Sequence, residues 1–217
     1  MTTDPVIEGF KKLASASISD ALDRLGIHGM AQGIAPLANG HHVVGRAFTL
    51  KYRPCGIVKG TVGDYIDDVP PGGVVVLDNA GRLDCTVWGD ILTTTAKARG
   101  VAGTVIHGVC RDVAGSLEVG YPIFSRGRFM RTGKDRVEVD GTNVTVSLGD
   151  VQVRPGDILV GSDDGVLVVP VEKEKDVLDI ATAVAEAEAR IVAEVRAGAK
   201  LVDARKKHGY HNLQTKR

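Results

Sequence analysis

The sequence predicts an α/β fold with mixed sheets and a long C-terminal helix, on the strength of three observations. A continuous apolar run at residues 74–78 (VVVLD) is followed by a helical pattern over residues 89–100 and a second buried run at residues 103–107. That strand, helix, strand order implies a parallel crossover, which is right-handed in nearly all cases. After Met130, short β segments alternate with turn residues, among them Asp140-Gly141, Pro155-Gly156-Asp157 and Asp164-Gly165, a pattern of antiparallel pairs. Residues 172–197 then carry Val177, Leu178, Ile180, Val184, Ile191, Val192 and Val195 at helical spacing, and Gly198 stops them.

The elements follow in order from their residue chemistry. Asp4 caps a first helix that has Pro5 in its first turn and Val6, Ile7, Phe10 and Leu13 on one face. Ser17 caps a second, with Asp20 three residues on, Ala21, Leu22 and Leu25 facing inward, and Gly26 as terminator. Residues 42–52 (HVVGRAFTLKY) read as a strand ending near Pro54. Pro70, Pro71, Gly72 and Gly73 turn the chain into the run at 74–78, whose lack of alternation marks a strand buried on both faces. Gly89 opens the central helix, Ile91, Leu92, Thr95 and Ala96 give its periodicity, and Gly100 closes it. A short helix at 112–118 and a strand at 122–125 follow, then β segments at 136–139, 144–148, 151–153, 158–160 and 166–169. Residues 1–198 form one domain on this reading, and 199–217 a basic C-terminal tail.

Composition narrows the class of function. With 27 basic and 27 acidic side chains the formal net charge is +0, so no general attraction draws the chain to nucleic acid or to an anionic membrane. The cysteines Cys55, Cys85 and Cys110 form no C-x-x-C pair, and a reduced, cytoplasmic setting is expected. No segment approaches the roughly 18 apolar residues of a membrane span, nor does the N-terminus carry a signal-peptide run. A small-molecule substrate suits this balance.

Two features of the segment WGDILTTTAKARGVAGTVIHGVCRD converge on one place. The backbone N–H groups at the start of the Gly89 helix form an anion site, and Gly89 has no side chain to block approach. Arg111-Asp112 follows the strand at 103–107 and so lies at its carboxyl end, where open α/β sheets bind ligands. Arginine offers a planar cationic fork to a carboxylate, and aspartate offers hard oxygen to a Mg²⁺-type cation that keeps several waters. Together they suit a 2-oxo acid. The plainer reading makes Arg111-Asp112 a simple ion pair, Asp90 a partner of the helix dipole, and Gly100, Gly103 and Gly108 packing residues. A Schiff-base lysine, Lys51 or Lys97, is a competing chemistry that needs a desolvated amine. His41-His42 and His208/His211 have no carboxylate or cysteine partner at metal spacing and read as surface groups. Asp163-Asp164-Gly165 reads as a turn rather than a calcium loop.

The arrangement resembles the RraA-like family, which holds the regulators of ribonuclease activity A and the 4-hydroxy-4-methyl-2-oxoglutarate aldolases. The matching segments are SISDALDRLG (17–26), VVGRAFTL (43–50), GDILTTTAKARGVAGTVIHGVCRD (89–112), YPIFSRG (121–127), VRPGDILVGSDDGVLVVP (153–170) and the final helix. The resemblance implies a swivelling β/β/α-type domain and a homo-oligomer, a trimer or a dimer of trimers, with sites between subunits. It implies that Gly89, Asp90, Ile91 and Leu92 hold the pyruvate carboxylate, that Arg111 holds the oxo group, and that Asp112 anchors Mg²⁺ or Mn²⁺. Asp90 would order metal-bound water, and a glutamate of a neighbour's last helix, Glu188 or its rivals Glu186 and Glu194, would assist. The implied activity is class II aldol cleavage of 4-hydroxy-2-oxo dicarboxylic acids to pyruvate, with oxaloacetate decarboxylation through the same enolate. The alternative is a non-enzymatic regulator that binds a ribonuclease; retention of Arg111, Asp112 and the long final helix favours the lyase.

Overall fold

The computed structural model describes residues 4–210. In chain order its helices are α1 (Pro5–Phe10), α2 (Ser15–Arg24), α3 (Asp90–Ala98), α4 (Val113–Glu118), α5 (Glu174–Arg196) and α6 (Leu201–Lys207). Its strands are β1 (Met30–Ala31), β2 (Ala35–Pro36), β3 (Val43–Pro54), β4 (Val74–Thr86), β5 (Gly103–Cys110), β6 (Ile123–Arg128), β7 (Val137–Thr142), β8 (Val146–Leu148), β9 (Val151–Val153), β10 (Ile158–Ser162) and β11 (Gly165–Val169). The fold is mixed α/β, as expected, and divides into two compact units, residues 30–171 and the helices on either side of them in sequence.

In the larger unit one mixed sheet runs in the order β1-β11-β10-β3-β4-β5-β6-β2, with β7 also paired to β3. β3, β4, β5 and β6 are parallel to one another, so the crossover through α3 is the one the apolar runs predicted. The VVVL run shows why it contains no polar alternation: Val74 and Val76 enter one apolar cluster with Val105 and Phe124, while Val75 and Leu77 enter another with Leu50 and Ile106. Each of these four β4 residues is fully buried, which contributes about 1.5–3 kcal/mol per side chain.

Two expectations of turn and cap chemistry need correction. Asp140-Gly141 does not turn a hairpin: β7 runs through it, and the register against β3 shifts between Lys51, opposite Gly141, and Tyr52, opposite Val139, leaving Asp140 as the extra residue of a bulge. Ser17 does not cap α2, which begins at Ser15 after Ala14; Ser17 lies inside the helix, buried. By contrast Asp163-Asp164 is a turn, because Ser162 pairs with Gly165 across the β10–β11 hairpin.

β4 continues past the predicted 74–78, with register shifts against β5 at Arg82 and Thr86. The departure is held by side chains: Asp78 Oδ1 accepts from Ala80 N at 2.9 Å and Asn79 Nδ2 donates to Cys85 O at 3.3 Å. Ala80 and Gly81 both take left-handed backbone there, φ 53° and 67°.

In the helical unit, α5 buries Val177, Ala181, Val184, Ala187 and Ile191, and α2 supplies Ile18, Ala21 and Leu22 with no exposed surface. Gly9 permits close approach, since a Cβ there would lie 2.8 Å from Leu178 Cδ2. The segment expected as a basic tail contains α6, tied to α5 where Lys207 Nζ donates to Glu194 Oε1 at 2.6 Å. No helix among the described residues is long and apolar enough to cross a membrane.

Candidate functional site

The carboxyl ends of β4 and β5 deliver the site. β4 ends at Thr86, whose Oγ1 lies 2.8 Å from the carbonyl oxygens of both Trp88 and Val109 and accepts from Trp88 N at 3.1 Å. Arg111 N donates to Trp88 O at 3.1 Å, so the loop after β4 and the loop after β5 are stitched together before either helix starts. Beneath them the Trp88 indole N–H donates to Thr93 Oγ1 at 2.9 Å, and Thr93 Oγ1 lies 3.1 Å from Ser116 Oγ. Trp88, Thr93 and Ser116 are buried, and Trp88 stacks on Tyr121 with centroids 6.1 Å apart. These partners fix the starts of α3 and α4 relative to each other.

Gly89 precedes α3 with extended backbone, φ −152°. A Cβ there would sit 2.5 Å from Asp112 Oδ2 and 3.5 Å from Arg111 Nε, so the absent side chain is the space those two groups use. Asp112 precedes α4 in left-handed backbone, φ 54°, and its side chain makes no capping bond to that helix. It turns instead to Arg111, Nε to Oδ2 at 3.2 Å, with both side chains 38% exposed. The expected ion pair is therefore formed, but at a surface a ligand can reach.

The first amides of α3 have no intrahelical acceptor, and Asp90 Oδ1 takes one of them, Ile91 N, at 2.8 Å. Asp90 packs beside α4, where a Cβ on Gly115 would lie in ordinary contact with it, 3.5 Å from Asp90 Cβ. Gly89, Asp90, Ile91, Leu92, Arg111 and Asp112 all line one cavity of about 620 Å³. The lining also includes Thr61, Val62, Gly63, Asp64, Ile66 and Asp67, from a segment that carries no periodic or motif signal in the sequence, and Thr132.

Glu188 lies in the helical unit, where Ser17 Oγ donates to its Oε2 at 3.5 Å. Of its rivals, Glu186 pairs with Arg190 at 3.7 Å. Glu194 is held below the usual carboxylate range, first by Lys207 and then by His208. Lys51 and Lys97 are exposed and do not line the cavity, and Lys97 Nζ donates to Gly120 O at 3.2 Å. His41 Nδ1 accepts from Ile123 N at 3.4 Å, His208 faces Glu194, and His211 lies outside the described residues.

No group of three His, Cys, Asp or Glu side chains gathers round one point among the described residues, so no zinc-type cage is built. The cavity lining carries the carboxylates Asp64, Asp67, Asp90 and Asp112, and among them Asp112 and Asp90 stand at the starts of α4 and α3. That donor set fits a Mg²⁺-type ion, which needs one or two protein carboxylates and keeps its waters.

The family model described as RraA-like, Aldolase/RraA, matches residues 15–168. The chain belongs to the RraA-like family. It is 41% identical over 199 residues to protein DlpA of Legionella pneumophila, covering 90% of this chain but 32% of that one, so it spans about a third of that relative's length. A relative from Halalkalibacterium halodurans, provisionally named a 4-hydroxy-4-methyl-2-oxoglutarate aldolase, is 37% identical over 172 residues, covering 79% of this chain and 80% of its own. Among solved structures, Streptomyces coelicolor RraAS2, described as an unusual member of the RNase ES inhibitor RraA protein family, superposes with a TM-score of 0.75 at 30% identity, covering 83% of this chain and 92% of that one. RraA-like proteins thus include members named for catalysis and members named for ribonuclease inhibition.

Proposed function

We propose that this RraA-like protein is a divalent-metal-dependent carbon–carbon lyase that releases pyruvate from 4-hydroxy-2-oxo acids, the 4-hydroxy-4-methyl-2-oxoglutarate aldolase type of reaction, and that also decarboxylates oxaloacetate. One observation carries the reading: Arg111, Asp112 and the first turn of α3 open into the same cavity. The substrate carboxylate lies against the α3 amides and the helix dipole. Arg111, part-exposed and free to rotate its fork off Asp112, receives the 2-oxo oxygen and the negative charge that grows on it as the bond breaks. Mg²⁺ or Mn²⁺ on Asp112, with Asp90 beside it, would add Lewis-acid polarisation of the same oxygen. Asp90 uses Oδ1 for Ile91 N and keeps Oδ2 for the 4-hydroxyl proton. Retro-aldol cleavage and decarboxylation leave the same three-carbon enolate, so one set of residues serves both.

We also take the protein to act as a homo-oligomer, a trimer or dimer of trimers. The exposure of Ile57, Val58, Ile91 and Met130, each above 75%, supports covered apolar surface in solution. Light scattering on the purified chain tests it, and a monomer would overturn it.

Purified protein with Mg²⁺ or Mn²⁺ is expected to release pyruvate from oxaloacetate and from a 4-hydroxy-2-oxo acid above the metal-only rate, and chelation to abolish the difference. No release from either substrate, joined to inhibition of an RNase E-type ribonuclease, would replace the lyase with a protein-binding regulator.

A further inference from the structure

Glu138 is a buried carboxylate that the proposed chemistry leaves unused. It stands on β7, 5% exposed, and does not line the cavity. Both of its oxygens are taken: Arg53 Nε donates to Oε1 at 3.0 Å and Gly60 N donates to Oε2 at 2.7 Å. These bonds hold the carboxyl below its ordinary range, the Gly60 amide contributing most. Thr61, Val62 and Gly63, which follow Gly60 directly, do line the cavity.

The stretch that leads to this wall has few other fastenings. Residues 55–63 form no helix or strand, and Gly56, Gly60 and Gly63 leave the backbone few steric limits. Ile57 and Val58 are exposed, so apolar burial does not order them, and the exposed Lys59–Asp135 pair holds weakly. Two neutral bonds help, Val139 N to Thr61 O at 2.9 Å and Tyr52 Oη to Val62 O at 2.7 Å. The bond from Gly60 N to an ionised carboxylate is the stronger kind. Beyond it Gly63 packs on α3, its Cβ position 3.5 Å from Leu92 Cδ2. Arg111, Asp112 and the start of α3 are held separately, through Thr86, Trp88 and Thr93. Resting on the lyase reading, we propose that Glu138 is a positioning residue: through the Gly60 amide it sets the wall at residues 61–63 against α3, and so governs how tightly substrate is held rather than how fast bound substrate reacts. Loss of such binding raises KM and spares kcat.

Steady-state pyruvate release from oxaloacetate by the full chain with Mg²⁺ tests this, with thermal melting alongside. Glu138→Ala removes the acceptor of Gly60 N and is expected to raise KM about tenfold, the size of one hydrogen bond to a charged group, with kcat within about twofold of the parent. Glu138→Gln keeps an oxygen for that amide and should recover most of the loss. Arg53→Met removes the cation but not the amide bond, and KM should stay within about twofold. Should Glu138→Ala fail to fold, Gly60→Ala carries the test: its Cβ would lie 3.1 Å from Glu138 Oε2 and push it away, and KM is expected to rise about threefold or more. A KM left unmoved by Glu138→Ala, or by Gly60→Ala in its place, overturns the positioning role while the lyase reading stands. So does a KM that Arg53→Met raises as much, or a fall in kcat that matches a loss of folded protein. No pyruvate from the parent protein overturns both.

Discussion

Asp112 Oδ2 lies 2.5 Å from the point a Cβ on Gly89 would occupy, so residue 89 cannot gain even a methyl group without moving the carboxylate. The backbone at Gly89 is extended and accessible to any residue; the constraint is contact with Asp112 alone. Gly89→Ala is therefore expected to fold normally and to lose about 100-fold in kcat/KM, the cost of a displacement on the order of 1 Å in a positioned group. Pyruvate release alongside thermal melting checks it: a variant as active as the parent would dismiss the Gly89–Asp112 relationship as incidental.

Arg111 and Asp112 form a pair exposed enough that its contribution to stability is about 0–1 kcal/mol. Arg111→Ala and Asp112→Asn are thus expected to leave Tm nearly unchanged while kcat falls by about 100-fold or more, as when a charge-stabilising donor is lost. Arg111→Lys should rescue little, because an ammonium cannot offer the planar fork. Parent-like turnover by both variants would remove the proposed site; a matching loss of Tm would make the pair structural.

How much of this was legible in the sequence follows from chain distance. Gly89 and Arg111-Asp112 could be placed together because each sits at the end of a buried parallel strand, and adjacent parallel strands bring their carboxyl ends to one edge. Asp64 could not be placed. Its position depends on how the segment after β3 packs on Leu92, whose Cδ2 lies 3.5 Å from the Cβ position of Gly63, a contact no local pattern encodes. Asp140-Gly141 misled for the same reason: the dipeptide is a strong hairpin signal in isolation, but pairing with β3 made it a bulge. Thr93 and Ser116, which look like ordinary helix hydroxyls, owe their role to an indole supplied by neither helix.

That indole gives a third expectation. Thr93→Val removes the acceptor of a buried N–H, and an unsatisfied buried donor costs about 1–3 kcal/mol. Tm is expected to fall by several degrees, at roughly 2–4 °C per kcal/mol for a chain of this size. The starts of α3 and α4 would lose their shared anchor, so kcat should fall further than the Tm loss accounts for at 25 °C. Ser116→Ala leaves the Trp88–Thr93 bond in place and should be milder on both measures; the reverse order would refute this account of how the site is held.

Acid sensitivity gives the last. Burial by itself would raise the pKa of Asp78, but hydrogen bonds from His107, from Ala80 N and from Ser147 N outweigh it and leave the carboxyl below its ordinary value. A carboxyl whose folded pKa is depressed contributes stability that is fully present above the unfolded pKa, about 3.9, and is lost as pH falls through the folded value. The same carboxylate anchors the left-handed turn at Ala80 and reaches the strand β8 through Ser147 N at 3.1 Å, so its protonation loosens both contacts at once. Asp78→Asn is expected to lower Tm at neutral pH and to flatten the fall of Tm below about pH 4 relative to the parent. Melting curves between pH 3 and 7 decide it, and parallel acid limbs for the two proteins would show that the depressed carboxyl carries no part of the acid transition.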